Sequence, residues 1–203
     1  MHTKQIIYAG KDLDGAAKAL IMVHGRGADA RDILALAQYL NVDEFALVAP
    51  QATNNTWYPY SFLAPRAQNE PWLSSALSLL KEIVADVQAK GIAHENIYFL
   101  GFSQGACLTL EFLARNPAAY GGVIAFTGGL IGDRLDTYTG DLSGTPVFIG
   151  TSDPDMHVPV ERVHETADIL TGMQAQVVKK IYKNMGHTII EDEIKEAKSI
   201  LNR

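Results

Sequence analysis

Short apolar runs alternate along the whole chain with longer stretches in which apolar residues recur every three or four positions. Apolar runs of about four to eight residues suit strands buried on both faces, and the wider spacing suits helices with one buried face. The alternation therefore predicts βα units on a mainly parallel sheet flanked by helices. Strands are expected at Gln5–Ala9, Ala19–His24, Ala46–Ala49, Ile97–Leu100, Gly122–Phe126, Pro146–Gly150 and Val177–Tyr182. The clearest helix is Pro71–Lys90, where Leu73, Ala76, Leu77, Leu80, Val84 and Val87 form one stripe. Pro71 suits its first position and Gly91 its C-terminal cap. Others are expected near Ala30–Tyr39, Ser103–Asn116, Pro159–Thr171 and Glu191–Leu201. Gln51–Glu70 and Thr127–Thr145 carry no regular period, and aperiodic segments of that length are more often functional than idle, so both are expected as pocket walls.

Composition narrows the class. A chain of 203 residues, 47% of them hydrophobic, can bury a sizeable core as one domain over 1–203, without room for a second catalytic domain. Seventeen Lys and Arg against 23 Asp and Glu give a net charge of −6 with no basic cluster, so nucleic acid and anionic membrane surfaces are poor partners. No apolar run approaches the roughly 20 residues that span a bilayer, and Met1–Gln5 lacks a signal-like segment; a cytoplasmic protein without membrane insertion is expected. Cys107, the single cysteine, cannot form an internal disulfide and fits a reducing compartment.

The densest chemical signal is Gly101-Phe102-Ser103-Gln104-Gly105, between a strand-like run and a helix-like one. A strand that turns sharply into a helix holds its serine in a sparsely allowed conformation, and glycines two residues away relieve the crowding. A serine hydroxyl also needs a base and a group to orient that base. Of six histidines, His187 is the expected base, because it follows the last strand and would lie at the carboxyl edge of the sheet beside Ser103. His2 is terminal, His94 sits in a turn at the opposite edge, and His164 falls within a helix. The acid is expected in the loop Thr151–Pro159, where two aspartates compete; Asp153 precedes a proline and reads as a turn former, so Asp155 is preferred. The oxyanion is expected to meet the amides of Gln104 and Arg26, the latter in the glycine loop His24-Gly25-Arg26-Gly27. His24 reads as a structural histidine, and the Arg26 side chain as solvated or, alternatively, in contact with substrate.

These motifs, with Asp155-Met156-His157-Val158-Pro159 and Gly186-His187, occur in an order and spacing that resemble the α/β-hydrolase family of small carboxylesterases, phospholipase-type esterases and acyl-protein thioesterases. The resemblance implies a single-domain α/β-hydrolase fold without a large cap. It also implies a serine nucleophile at Ser103 with Asp155 and His187, an oxyanion hole from Arg26 and Gln104, and neither metal nor cofactor. The family contains both monomers and homodimers. Three departures stand out: thioesterase members usually carry an aliphatic residue where Arg26 stands, the segment Ala49–Leu63 differs and is rich in aromatics, and extra residues around Pro154-Asp155 lengthen the family's loop there. Together they shift the expectation from acyl-protein or lysophospholipid substrates toward small or medium esters. Related readings are a lactone hydrolase or acyltransferase and, more remotely, a ligand-binding protein without turnover.

Trp57, Tyr58, Tyr60 and Phe62 suit either an apolar substrate pocket or a self-packed loop anchor. Met156 and His157 flank the preferred acid and are expected beside the same pocket. Cys107, one helical turn after Ser103, reads as a small buried residue rather than a reactive thiol.

Overall fold

The computed structural model describes residues 1–203. Seven strands form one sheet: β1 (Ile6–Gly10), β2 (Lys18–Val23), β3 (Phe45–Pro50), β4 (Ile97–Phe102), β5 (Gly122–Phe126), β6 (Pro146–Asp153) and β7 (Gln176–Lys183). Their order is β1-β3-β2-β4-β5-β6-β7; β1 pairs antiparallel with β3 and every other pair is parallel. Side chains alternate between two cores. Ile21, Val48, Phe99 and Ile149 pack on one face, Met22, Leu47, Leu100 and Phe148 on the other, which is why the central strands read as nearly unbroken apolar runs.

The helices are α1 (Ala30–Leu34), α2 (Arg66–Asn69), α3 (Trp72–Ala89), α4 (Gln104–Arg115), α5 (Val160–Gly172) and α6 (Glu191–Leu201). The first core packs under α3, α4 and α5, the second under α1 and α6. Every expected strand and the long α3 stripe are present, with Gly91 at a φ of +87° just past the C-cap. The helix expected over Ala30–Tyr39 is instead the short α1 followed by a 3-10 turn over Ala35–Tyr39. Ile33 and Leu36 are three residues apart, a spacing that both helix types satisfy, so the pattern could not separate them. No helix is long and apolar enough to cross a membrane.

Parallel pairing brings the carboxyl ends of β2, β4, β6 and β7 to one edge, with Ser103 directly after the central β4. In open α/β sheets this edge is where ligands bind.

Candidate active site

The turn after β4 is strained. Ser103 has φ 54° and ψ −119°, a region an L-residue rarely occupies. Its amide is held by the Phe126 carbonyl at 2.9 Å and its carbonyl accepts from the Cys107 amide at 3.0 Å, so strand and helix clamp it from both sides. Glycine is required on either side: a Cβ on Gly101 would meet the Gly105 backbone at 2.6 Å, and one on Gly105 would collide with the carbonyls of Val23 and His24. These contacts let α4 sit directly on the end of β2.

Ser103, His187 and Asp155 come together as one hydrogen-bonded chain. Ser103 Oγ lies 2.8 Å from His187 Nε2, and His187 Nδ1 lies 2.9 Å from Asp155 Oδ2. Asp155 Oδ1 accepts the amides of His157 at 2.8 Å and Val158 at 2.9 Å, so both carboxylate oxygens are engaged. Burial alone would raise the Asp155 pKa, but these amides and the imidazole outweigh it and hold the carboxyl below its usual range. The carboxylate therefore fixes the Nδ1–H tautomer and leaves the Nε2 lone pair for the serine proton. Asp153 ends β6 in solvent and does not reach the histidine. The His187 loop is braced from below, since the Gly186 amide donates to Ser152 Oγ at 3.0 Å.

The glycine loop after β2 lies against the serine: a Cβ on Gly25 would stand 3.5 Å from that of Ser103. The Arg26 amide has no backbone acceptor, and the Gln104 amide opens α4, where first-turn amides lack partners within the helix. His24 is fully buried and both ring nitrogens are used, Nδ1–H toward the Gly25 carbonyl at 2.7 Å and Nε2 accepting the Ala52 amide at 3.1 Å. Burial lowers its pKa, which keeps it neutral in this bracing role.

A cleft of about 420 Å³ opens over Ser103, walled by Tyr58, Tyr60, Phe62, His157 and Val158, with Cys107 among its lining. His157 packs edge-on against the His187 ring at 4.9 Å. Two expected pocket residues lie elsewhere. Trp57 is fully buried, donating its indole N–H to the His24 carbonyl at 2.8 Å and packing between the rings of His2 and His24, so it anchors the loop and does not line the cleft. Met156 is 83% exposed and stands clear of the cleft, whereas the next two residues, whose amides Asp155 holds, border it, His157 at the exposed rim and Val158 buried. The Arg26 side chain, expected to be solvated, donates to the carbonyls of Tyr58, Pro59 and Tyr60 at 2.7–2.9 Å. The Gln104 side chain does similar work, accepting the Trp57 amide at 2.9 Å and donating to the Tyr58 carbonyl at 2.8 Å. Neither role has a local sequence signal, since each side chain meets residues more than thirty positions away.

Nor does 127–145 wall the cleft as expected. Its 130–132 stretch packs behind Phe62, whose carbonyl accepts the Gly132 amide at 2.7 Å. Cys107 is buried and receives the Gly129 amide at 3.5 Å; burial pushes its thiol up to about 12, so it stays protonated. No group of three His, Cys, Asp or Glu side chains is arranged to hold a metal ion.

The chain resembles known esterases along its whole length. A phospholipase/carboxylesterase from Dyadobacter fermentans superposes with a TM-score of 0.98 at 54% identity, covering 100% of this chain and 98% of that one. A protein named acyl-protein thioesterase 1 from Eremothecium gossypii is 29% identical over 86% of this chain and 82% of its own length. A probable carboxylesterase, SOBER1-like, from Arabidopsis thaliana is 29% identical over 73% of this chain and 58% of its own. The family model described as phospholipase/carboxylesterase matches residues 4–203, so this chain, an α/β-hydrolase fold of the esterase type, belongs to the phospholipase/carboxylesterase family.

Proposed function

We propose that the protein hydrolyses carboxylic esters of small or medium acyl groups through an acyl-enzyme on Ser103. The observation that carries this reading is the unbroken hydrogen-bonded chain from Ser103 Oγ through His187 to Asp155, ending on a carboxylate held below its usual pKa. His187 Nε2 takes the hydroxyl proton as Oγ bonds to the substrate carbonyl carbon. The amides of Arg26 and Gln104 receive the negative oxygen, with the N-terminus of α4 adding favourable field. His187 then protonates the departing alcohol, and water repeats the sequence to release the acid. Asp155 orients the imidazole and stabilises its charge without taking the proton.

Hydrolysis of p-nitrophenyl acetate by Ser103→Ala tests the reading. The expected kcat falls by on the order of 10⁴ or more, and labelling by a fluorophosphonate disappears with it. Turnover at the wild-type rate would overturn it. Thioester hydrolysis is the second reading, because relatives are named acyl-protein thioesterases. An oxygen ester and a thioester with the same acyl group, compared by kcat/KM, separate the two.

A further inference from the structure

A second recess adjoins the cleft. It holds about 230 Å³ and is lined by Gly25, Ala28, Ile33, Leu36, Phe102 and Ile189, with His24 and Asp32 at its boundary. Gly25, Ala28 and Phe102 also line the main cleft, so the two spaces meet beside Ser103. We propose that this recess receives the alcohol part of the substrate and selects neutral, apolar alcohols of ring size; the proposal rests on the esterase reading above.

The geometry of acyl transfer assigns the side. In the tetrahedral intermediate one bond runs to Ser103 Oγ, the oxyanion faces the Arg26 and Gln104 amides, and the leaving oxygen must face His187 Nε2 to take its proton. The acyl carbon chain occupies the remaining direction. When the intermediate collapses, the ester C–O bond breaks, and the alcohol leaves with the proton that His187 removed from Ser103. The wall beside His187 is the one that leads into the recess: the Phe102 ring lies 5.2 Å from the His187 ring, and Ile189 follows two residues later. The leaving group is thus delivered toward Phe102, Ile189 and Leu36.

The lining decides the chemistry. His24 offers no free nitrogen, because one is spent on Gly25 and the other on Ala52. Asp32 accepts the Asp29 amide at the start of α1, and its charge at the rim disfavours anionic alcohols. What remains is aliphatic or aromatic surface, including the half-buried Leu36 and Ile189. Burying an apolar alcohol there gains free energy in proportion to the area covered, and polar alcohols gain none.

Two ester series test this. Acetates of ethanol and cyclohexylmethanol share an acyl group, so the ratio of their kcat/KM values reports the alcohol site during acylation. The wild type is expected to favour cyclohexylmethyl acetate by about tenfold or more. Leu36→Asp is expected to bring that ratio to near one, and Leu36→Thr to an intermediate value. In the matched series of ethyl acetate and ethyl hexanoate, the acyl ratio is expected to stay put in both variants. Each ratio is taken within one preparation, so any loss of folded protein cancels, and Leu36→Thr serves if Leu36→Asp does not fold. An alcohol ratio unmoved by Leu36 variants, or an acyl ratio that moves in its place, would overturn the assignment. Ser103-dependent hydrolysis with no alcohol preference would sink the recess and leave the esterase reading intact, whereas activity that survives Ser103→Ala would sink that reading itself.

Discussion

Residues 51–70 and 127–145 are similar in length and equally aperiodic, yet they serve different ends. The first presents Tyr58–Phe62 to the cleft, and its backbone is tied down by side chains from the edge that carries Ser103, Gln104 on the following helix and Arg26 in the glycine loop, and by its own Asn69, which accepts the Tyr60 amide. The second contributes nothing to the cleft and is pinned by buried charge. Glu111, fully buried on α4, accepts the Ile131 amide and the Tyr138 hydroxyl and pairs with Arg66 and Arg115. Arg162 on α5 donates to the carbonyls of Leu130 and Gly132. Burial pushes the Glu111 carboxyl up, against the pull of Arg66, the Ile131 amide and Tyr138. The contrast teaches that length does not mark a functional loop; where its backbone hydrogen bonds go does.

The largest effect that separates the two segments is expected from Glu111→Ala. It takes the acceptor from the buried Ile131 amide and the Tyr138 hydroxyl and leaves Arg66 and Arg115 with Asp136 alone, which should cost about 3–5 kcal/mol, read as a lower urea midpoint, with KM on p-nitrophenyl acetate little changed. A shift in KM without loss of stability would mean that 127–145 shapes the cleft after all.

A somewhat smaller effect comes from Glu193, a second buried acid, placed at the start of α6 just beyond the His187 loop. One oxygen accepts the Ile190 amide at 3.0 Å and the other has no partner. Burial pushes this carboxyl up to about 7, with Asp192 adding to the rise and the Ile190 amide opposing it. Between about pH 4.5 and 7 the folded protein holds a proton that the unfolded chain has released, so stability falls as pH rises through that window, by up to about 3 kcal/mol. Glu193→Gln should flatten this dependence in urea titrations across the window. An unchanged slope would show that the buried acid does not govern this loop as Glu111 governs 127–145.

The smallest effect is expected from Arg26→Met, which keeps the main-chain amide and the apolar stem but frees the carbonyls of residues 58–60. A loosened cleft wall should raise KM by about three- to tenfold with kcat nearly constant. A hundredfold fall in kcat at constant KM would instead tie the guanidinium to the chemistry and erase the distinction between the cleft wall and the edge that carries Ser103.

Much of the fold was legible because it depends on local period: each strand and the α3 stripe can be read from residues a few positions apart. The elbow was legible for the same reason, as five adjacent residues meet one steric demand. Trp57 and Met156 were misplaced because an aromatic or a methionine in a loop looks the same whether it faces a cleft, the core or solvent. Trp57 turned inward when His24, thirty-three residues earlier, offered its carbonyl to the indole. The clamps from Arg26 and Gln104 and the buried Glu111 center were invisible for the same reason, since each joins segments far apart in the chain.

By itself, then, the sequence determined the alternation of strands and helices, the strained turn at Ser103 and the order in which Asp155 and His187 follow it, because these are matters of spacing and local sterics. Only the tertiary structure decided the rest. It chose Asp155 over Asp153 as the partner of His187 and made 51–70 a cleft wall and 127–145 its backing. It also set a second apolar recess beside the imidazole. Those outcomes depend on which distant groups satisfy each buried amide, carbonyl and carboxylate, and the sheet settles that only when it brings its strand ends to one edge.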